Sequence, residues 1–225
     1  MISLTFSKLS LADLKRIVHI KENGIRDYPW TQVDSLTLNS REQERLIDLE
    51  QMLDADPVHL LNESTIWSRA IYPLLQLSER GDVRALAGVS VQASYGHFSL
   101  EGIADGVIGK SITGRIEVPY LVMVETKRGV EGQNPIAQLY GELIAAARLN
   151  WEDNGEDPQE MFGCYTIADS WTFVKALVSA IDSDRPTLHI EHSREYSEKT
   201  NAAKILKTLK SIVARHYVTD SDTTD

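Results

Sequence analysis

In the run Tyr120-Leu-Val-Met-Val-Glu-Thr-Lys127, four consecutive apolar residues lead directly into Glu125 and Lys127. Such a run predicts a strand covered on both faces. Side chains two apart on a strand share a face, so Glu125 and Lys127 point with Met123. Burying either charge alone is costly; taken by itself, the pair reads as a Glu–Lys ion pair at a solvated strand end. Asp105 changes that reading. It lies in the preceding strand segment SLEGIADGVIG, in the row Glu101, Ile103, Asp105, Val107. The connection is short enough for an antiparallel neighbour, which sets Asp105 opposite Glu125. Adjacent carboxylates repel and raise a pKa unless a cation lies between them. Their oxygens suit Mg²⁺ or Mn²⁺ with water completing the shell, and the Thr126 backbone carbonyl is a further candidate ligand. Lys127 beside such a cation could orient an attacking water. In outline, that is metal-assisted hydrolysis.

A third carboxylate, Glu63, falls on the helix expected after Pro57. Leu60, Ile66, Trp67, Ala70, Ile71 and Leu74 sit at helical spacings from it, which places Glu63 on the apolar, sheet-facing side. The alternative is an N-terminal cluster at Asn62–Ser64 in which Glu63 serves the helix dipole. The sequence leaves both open.

These residues need a sheet and helices to hold them. Ser10 with Asp13 forms a capping-box start for LADLKRIVHI, which Asn23-Gly24 stops. Ser40 with Gln43 repeats the device ahead of REQERLIDLEQML. Asp56-Pro57 opens a third helix through HLLNESTIWSRAIYPLLQL, which Pro73 ends or kinks. The expectation is a helical N-terminal region over 1–56. Strands are expected at 84–93, 99–108 and 120–127, a helix from Asn134-Pro135, a hairpin of 161–167 with 171–176, a short strand at 187–191 and a helix from about Lys199. The fold class is α/β with a mixed central sheet flanked by helices.

Glu63, then Asp105, then Glu125-Thr126-Lys127, followed by an amphipathic helix carrying Gln138, resembles the PD-(D/E)XK nuclease superfamily over roughly 57–171. The segments NESTIWSRAIYPLL and CYTIADSWTFVKA are similar to nuclease domains of type I restriction subunits. The resemblance implies a restriction-endonuclease-like core over 57–217 and Mg²⁺- or Mn²⁺-dependent hydrolysis of DNA phosphodiester bonds. It implies that Asp105 and Glu125 hold the metal, Lys127 positions water, Glu63 is an outer or second-metal ligand, and Gln138 lies close by. It also implies a possible homodimer, one site per strand. Two departures from the pattern are Ala104, where the family has a proline before the Asp, and Gln138, which falls off the centre of its helix's apolar stripe.

The composition limits these ideas. The chain has 225 residues, 42% hydrophobic and 25% charged, with one cysteine and a formal net charge of −10. A lone Cys164 rules out an internal disulfide or a multi-cysteine zinc site and fits a reducing, cytoplasmic setting; it reads as a small core residue. The N-terminal residues read as carrying no secretory signal, and no apolar run reaches membrane-spanning length, so no membrane partner is expected. His189 and His192 lack a third ligand at zinc spacing, and Trp30, Trp67, Trp151 and Trp171 read as core or edge residues. No nucleotide-binding glycine motif is present.

Nucleic-acid binders usually show a basic footprint, and this chain lacks one overall. The exception is 199–215, with five basic residues and no acidic one, where Lys199, Lys204, Lys207 and Lys210 are candidate phosphate contacts. The segment 218–225 carries three Asp and is expected to be a disordered tail. The charge balance also supports a second reading, a non-catalytic binding or assembly module on the same scaffold.

Overall fold

The computed structural model describes residues 2–55, 57–128 and 134–216; the acidic tail lies outside them. The chain begins with β1 (Ile2–Thr5), and α1 (Leu11–Ile17) follows with the Ser10–Asp13 capping box in place. The helix stops at Ile17, because Val18 is already extended, and the chain continues as β2 (His19–Ile25). Asn23-Gly24 therefore ends no helix. Gly24, at φ 76°, sits where the β2 register shifts. This irregularity is one a glycine tolerates and a side chain resists.

The box that opens α2 (Ser40–Ala55) lies one residue earlier than the sequence suggests. Glu42 N–H donates to Asn39 Oδ1 at 2.9 Å, and Asn39 N–H donates to Glu42 Oε2 at 2.9 Å. After a single 3₁₀ turn at Val58–Leu60, Asn62 caps α3 (Glu63–Ile66) by accepting the Thr65 N–H at 2.9 Å. The helix widens into a π turn at Trp67–Ile71 and resumes as α4 (Tyr72–Leu77). Pro73 stands in the first turn of α4; it has no N–H to give, and the wider turn before it accommodates the missing bond.

The remaining elements are β3 (Val83–Ser94), β4 (Phe98–Ile112), β5 (Arg115–Lys127), α5 (Ile136–Asn154), β6 (Gln159–Ile167), β7 (Ser170–Ser179), β8 (Thr187–Ser197) and α6 (Glu198–His216). All eight strands form one mixed sheet in the order β1-β4-β5-β6-β7-β8-β2, with β3 also paired to β4. The helical N-terminal region expected over 1–56 is thus corrected. Its helices are joined by β1, which pairs parallel with β4, and β2, which pairs parallel with β8.

Helices cover both faces of the sheet. On one side α1 and α5 bury Leu14, Leu139, Leu143 and Ile144 against Met123, Val174 and Ile190. On the other side α2, α4 and α6 bury Leu46, Leu74, Leu206 and Leu209 against Val124, Phe162 and Phe173. The central strand β5 is therefore covered twice, as its unbroken apolar run requires. Among the described residues, no helix is long and apolar enough to cross a membrane.

Candidate functional site

One edge of β4 carries two partners, and the site lies between them. β3 runs along the opposite edge, while β1 pairs with Phe98–Glu101 and β5 with Gly106–Ile112. Residues 102–105 span the gap. Asp105 is the first residue past the last β4–β5 pair, Gly106 with Val124. There a side chain replaces the ladder: Thr126 N–H donates to Asp105 Oδ2 at 2.8 Å. Asp105 Oδ1 takes no hydrogen bond from any described residue. The gap in strand pairing thus aims a carboxylate at the C-terminal end of β5.

Glu125 is fully buried beside it. Its Oε1 accepts from the Lys127 ammonium, and its Oε2 accepts from Gln138 Nε2 at 2.6 Å. Gln138 thus faces the site from the first turn of α5. Burial and then the Asp105 charge raise the Glu125 pKa, and the net value is about 7. Burial also raises the Asp105 pKa, against the Thr126 hydrogen bond and Lys127. For Lys127, burial works against the ammonium. The Glu125 hydrogen bond and the charges of Glu125, Asp105 and Glu63 outweigh it, so its pKa is raised.

Sequence reasoning missed Glu142, although an acid within the largely apolar stretch 137–147 was a usable signal. It lies one helical turn beyond Gln138, whose Nε2 is 3.4 Å from Glu142 Oε1. It is fully buried and its Oε2 has no partner. Burial, and then the Glu125 and Asp105 carboxylates, hold its pKa well above the usual range.

Glu63 is exposed rather than packed against the sheet, which corrects the apolar-side reading. Asn62 supplies the cap, and Glu63 lines a cleft of about 240 Å³ with Trp67, Asp105 and Thr126. The Trp67 ring lies over Gly106 so closely that a Cβ there would sit 2.4 Å from it. The structure therefore gathers Glu63, Asp105, Glu125, Thr126, Lys127 and Gln138 at one place.

No family model matches the chain, and no curated protein matches its sequence. The site has to be read from its own chemistry.

Its candidate ligands are hard oxygens, and some are unused in hydrogen bonds: Asp105 Oδ1 accepts from no described residue, and the buried Glu142 Oε2 and Thr126 hydroxyl have no partner. That surplus fits a Mg²⁺-type cation. Among the described residues, no group of three or more His, Cys, Asp or Glu side chains is gathered to hold a metal. A cation at Asp105 and Glu125 would therefore draw its other ligands from the Thr126 carbonyl, water and substrate.

The other candidates lie elsewhere. Cys164 is buried in β6, where burial pushes its thiol pKa up. His192 Nε2 lies 2.8 Å from the Tyr140 hydroxyl, and His189 Nε2 lies 3.0 Å from Asn23 Oδ1. On α6, Lys199 faces Asp54 at 3.8 Å, Lys204 faces Asp34 at 3.0 Å, Lys207 donates to the Asp34 carbonyl at 3.3 Å, and Lys210 pairs with Glu42. Three of these four lysines thus pair with acids of the N-terminal half of the chain.

Proposed function

We propose that the chain is a metal-dependent nuclease of the PD-(D/E)XK type, with a restriction-endonuclease-like core, that hydrolyses DNA phosphodiester bonds. The observation that carries the reading is the juxtaposition of Asp105 with Glu125, Lys127 and Gln138 on three adjoining elements. Asp105 and Glu125 would hold Mg²⁺ or Mn²⁺, with the Thr126 carbonyl as a further ligand and Glu63 as an outer one across the cleft. Such an ion neutralises charge on the phosphate and polarises water. Gln138 fixes the Glu125 carboxylate, so its position does not depend on the ion alone. Lys127, held at Glu125 and partly exposed, presents an ammonium that can hydrogen-bond a water lined up with phosphorus. That water would form the new P–O bond as the bond from phosphorus to the sugar oxygen breaks, its proton passing to solvent and the departing oxygen taking one up from solvent. A homodimer with one site per strand belongs to the same proposal.

The net charge of −10 favours the rival, a binding or assembly module that does no chemistry. Incubating supercoiled, single-stranded and branched DNA with Mg²⁺ or Mn²⁺ decides between them. Cleavage lost in Asp105→Ala supports the nuclease. A parent protein that cuts none of these substrates favours the module.

A further inference from the structure

Five of the chain's thirteen arginines line one cleft of about 720 Å³, although the protein is strongly acidic overall. Arg41 and Arg45 come from α2, Arg69 from the π turn, and Arg80 and Arg84 from the start of β3 and the turn before it. All five are exposed. Three acids also line the cleft, and each is engaged. Glu42 pairs with Lys210 and accepts the Asn39 N–H; Glu79 accepts the Ala85 N–H at 3.0 Å and faces Arg84 at 3.8 Å. Asp48 meets Arg45 at 3.9 Å with both side chains mostly exposed, a pair too weak to neutralise the guanidinium. Arg41 makes no ion pair with any described residue. The lining keeps an excess of positive charge that no sequence window displays.

The cleft draws on two of the elements that line the candidate site. Arg69 follows Trp67 on the same turn, and Ala87 of β3, three residues beyond Arg84, lines the Glu63–Asp105 cleft. Three strand residues span about 10 Å, or about three phosphate steps along one DNA strand. Guanidinium groups suit phosphate because they are planar forks that stay charged.

We infer that this arginine cleft binds the phosphate backbone of the DNA and leads one strand toward Asp105. The inference rests on the nuclease reading for its choice of nucleic acid over another polyanion. The inference places the strand on these arginines rather than on the α6 lysines, which lie beside Asp34, Asp54 and Glu42.

The test measures anisotropy of a fluorescein-labelled duplex in EDTA, across a salt titration, beside a cleavage assay with Mg²⁺. Each neutralised phosphate contributes about 0.9 to the slope of log affinity against log salt. Arg41→Gln with Arg45→Gln should lower that slope by about two. The equal charge change in Lys199→Gln with Lys204→Gln should leave it unchanged, and circular dichroism should show both variants folded. Equal slopes in parent and arginine variant overturn the cleft, whether or not the parent cleaves. A lowered slope in a parent background that never cleaves keeps the cleft and overturns the nuclease. A polyglutamate peptide of matched charge that binds as tightly through the same arginines overturns the nucleic-acid assignment.

Discussion

Gln138 Nε2 donates to Glu125 Oε2 at 2.6 Å, fastening α5 to the end of β5 at a fully buried carboxylate of the candidate site. The bond joins residues thirteen apart across the crossover that leads to β6. It also explains how Glu125 stays oriented while its pKa is raised. Gln138→Ala removes that donor and leaves a buried acceptor short of a partner, which costs about 1–3 kcal/mol. Urea unfolding without metal should show that loss. Saturating Mg²⁺ should recover part of it, because the ion gives Glu125 a partner again.

Metal binding should be visible without any substrate. Mg²⁺ or Mn²⁺ binding only the folded state raises the melting temperature by mass action. The rise should be absent in Asp105→Ala. Because the ion competes with the proton that Glu125 holds until about pH 7, calorimetry should find tighter binding at alkaline than at acid pH. Equal shifts in parent and Asp105→Ala would remove Asp105 from the ligand set.

Lys127 separates chemistry from binding. An ammonium that positions water acts chiefly in the transition state. Lys127→Ala should therefore keep the metal-induced melting shift and DNA affinity while cleavage falls by orders of magnitude. Identical nicking by parent and variant would place the activity elsewhere.

Glu198 predicts a pH dependence remote from the site. It is buried at the start of α6, with Oε2 accepting from Trp171 Nε1 at 2.8 Å and Oε1 unpartnered. Burial raises its pKa, the Trp171 bond opposes and Asp169 adds, giving about 8 against an ordinary 4.5. The folded state thus holds a proton that the unfolded chain releases. The stabilisation is full below the unfolded pKa and is lost as pH rises through about 8. Between those limits the parent's melting temperature should fall more steeply than that of Glu198→Gln, followed by scanning calorimetry.

Gly106→Ala tests the seating of Trp67. The added methyl meets the ring at 2.4 Å, inside contact distance and next to Asp105. Overpacking of this kind costs about 1–3 kcal/mol. Chemical denaturation should register the loss, and Trp67 fluorescence should shift; an unchanged spectrum would mean that the ring does not lie over this glycine.

The sequence by itself determined the strand β3, the adjoining parts of β4 and β5, the helix α5 and the β6–β7 hairpin, while β4 runs on to Ile112 and β5 starts at Arg115 where a longer connection is expected. Each is written in a local period, and the first three pair with chain neighbours through short connections. It also placed Asp105 beside Glu125, since an antiparallel neighbour with two-residue alternation leaves little freedom. Tertiary structure alone decided the rest. β2 is mostly exposed and polar, so its seven residues carry no alternation, and its partner β8 lies some 170 residues away. Glu142 and Gln138 acquire meaning only when α5 packs over β5. The lysines of α6 share a segment with no acid in the sequence, yet Asp34, Glu42 and Asp54 meet them in space. The arginine cleft has the opposite history, because its charges come from separate segments that only folding brings together. Local periodicity is a property of neighbouring residues, whereas charge density belongs to a surface, and the surface exists only once distant segments have packed.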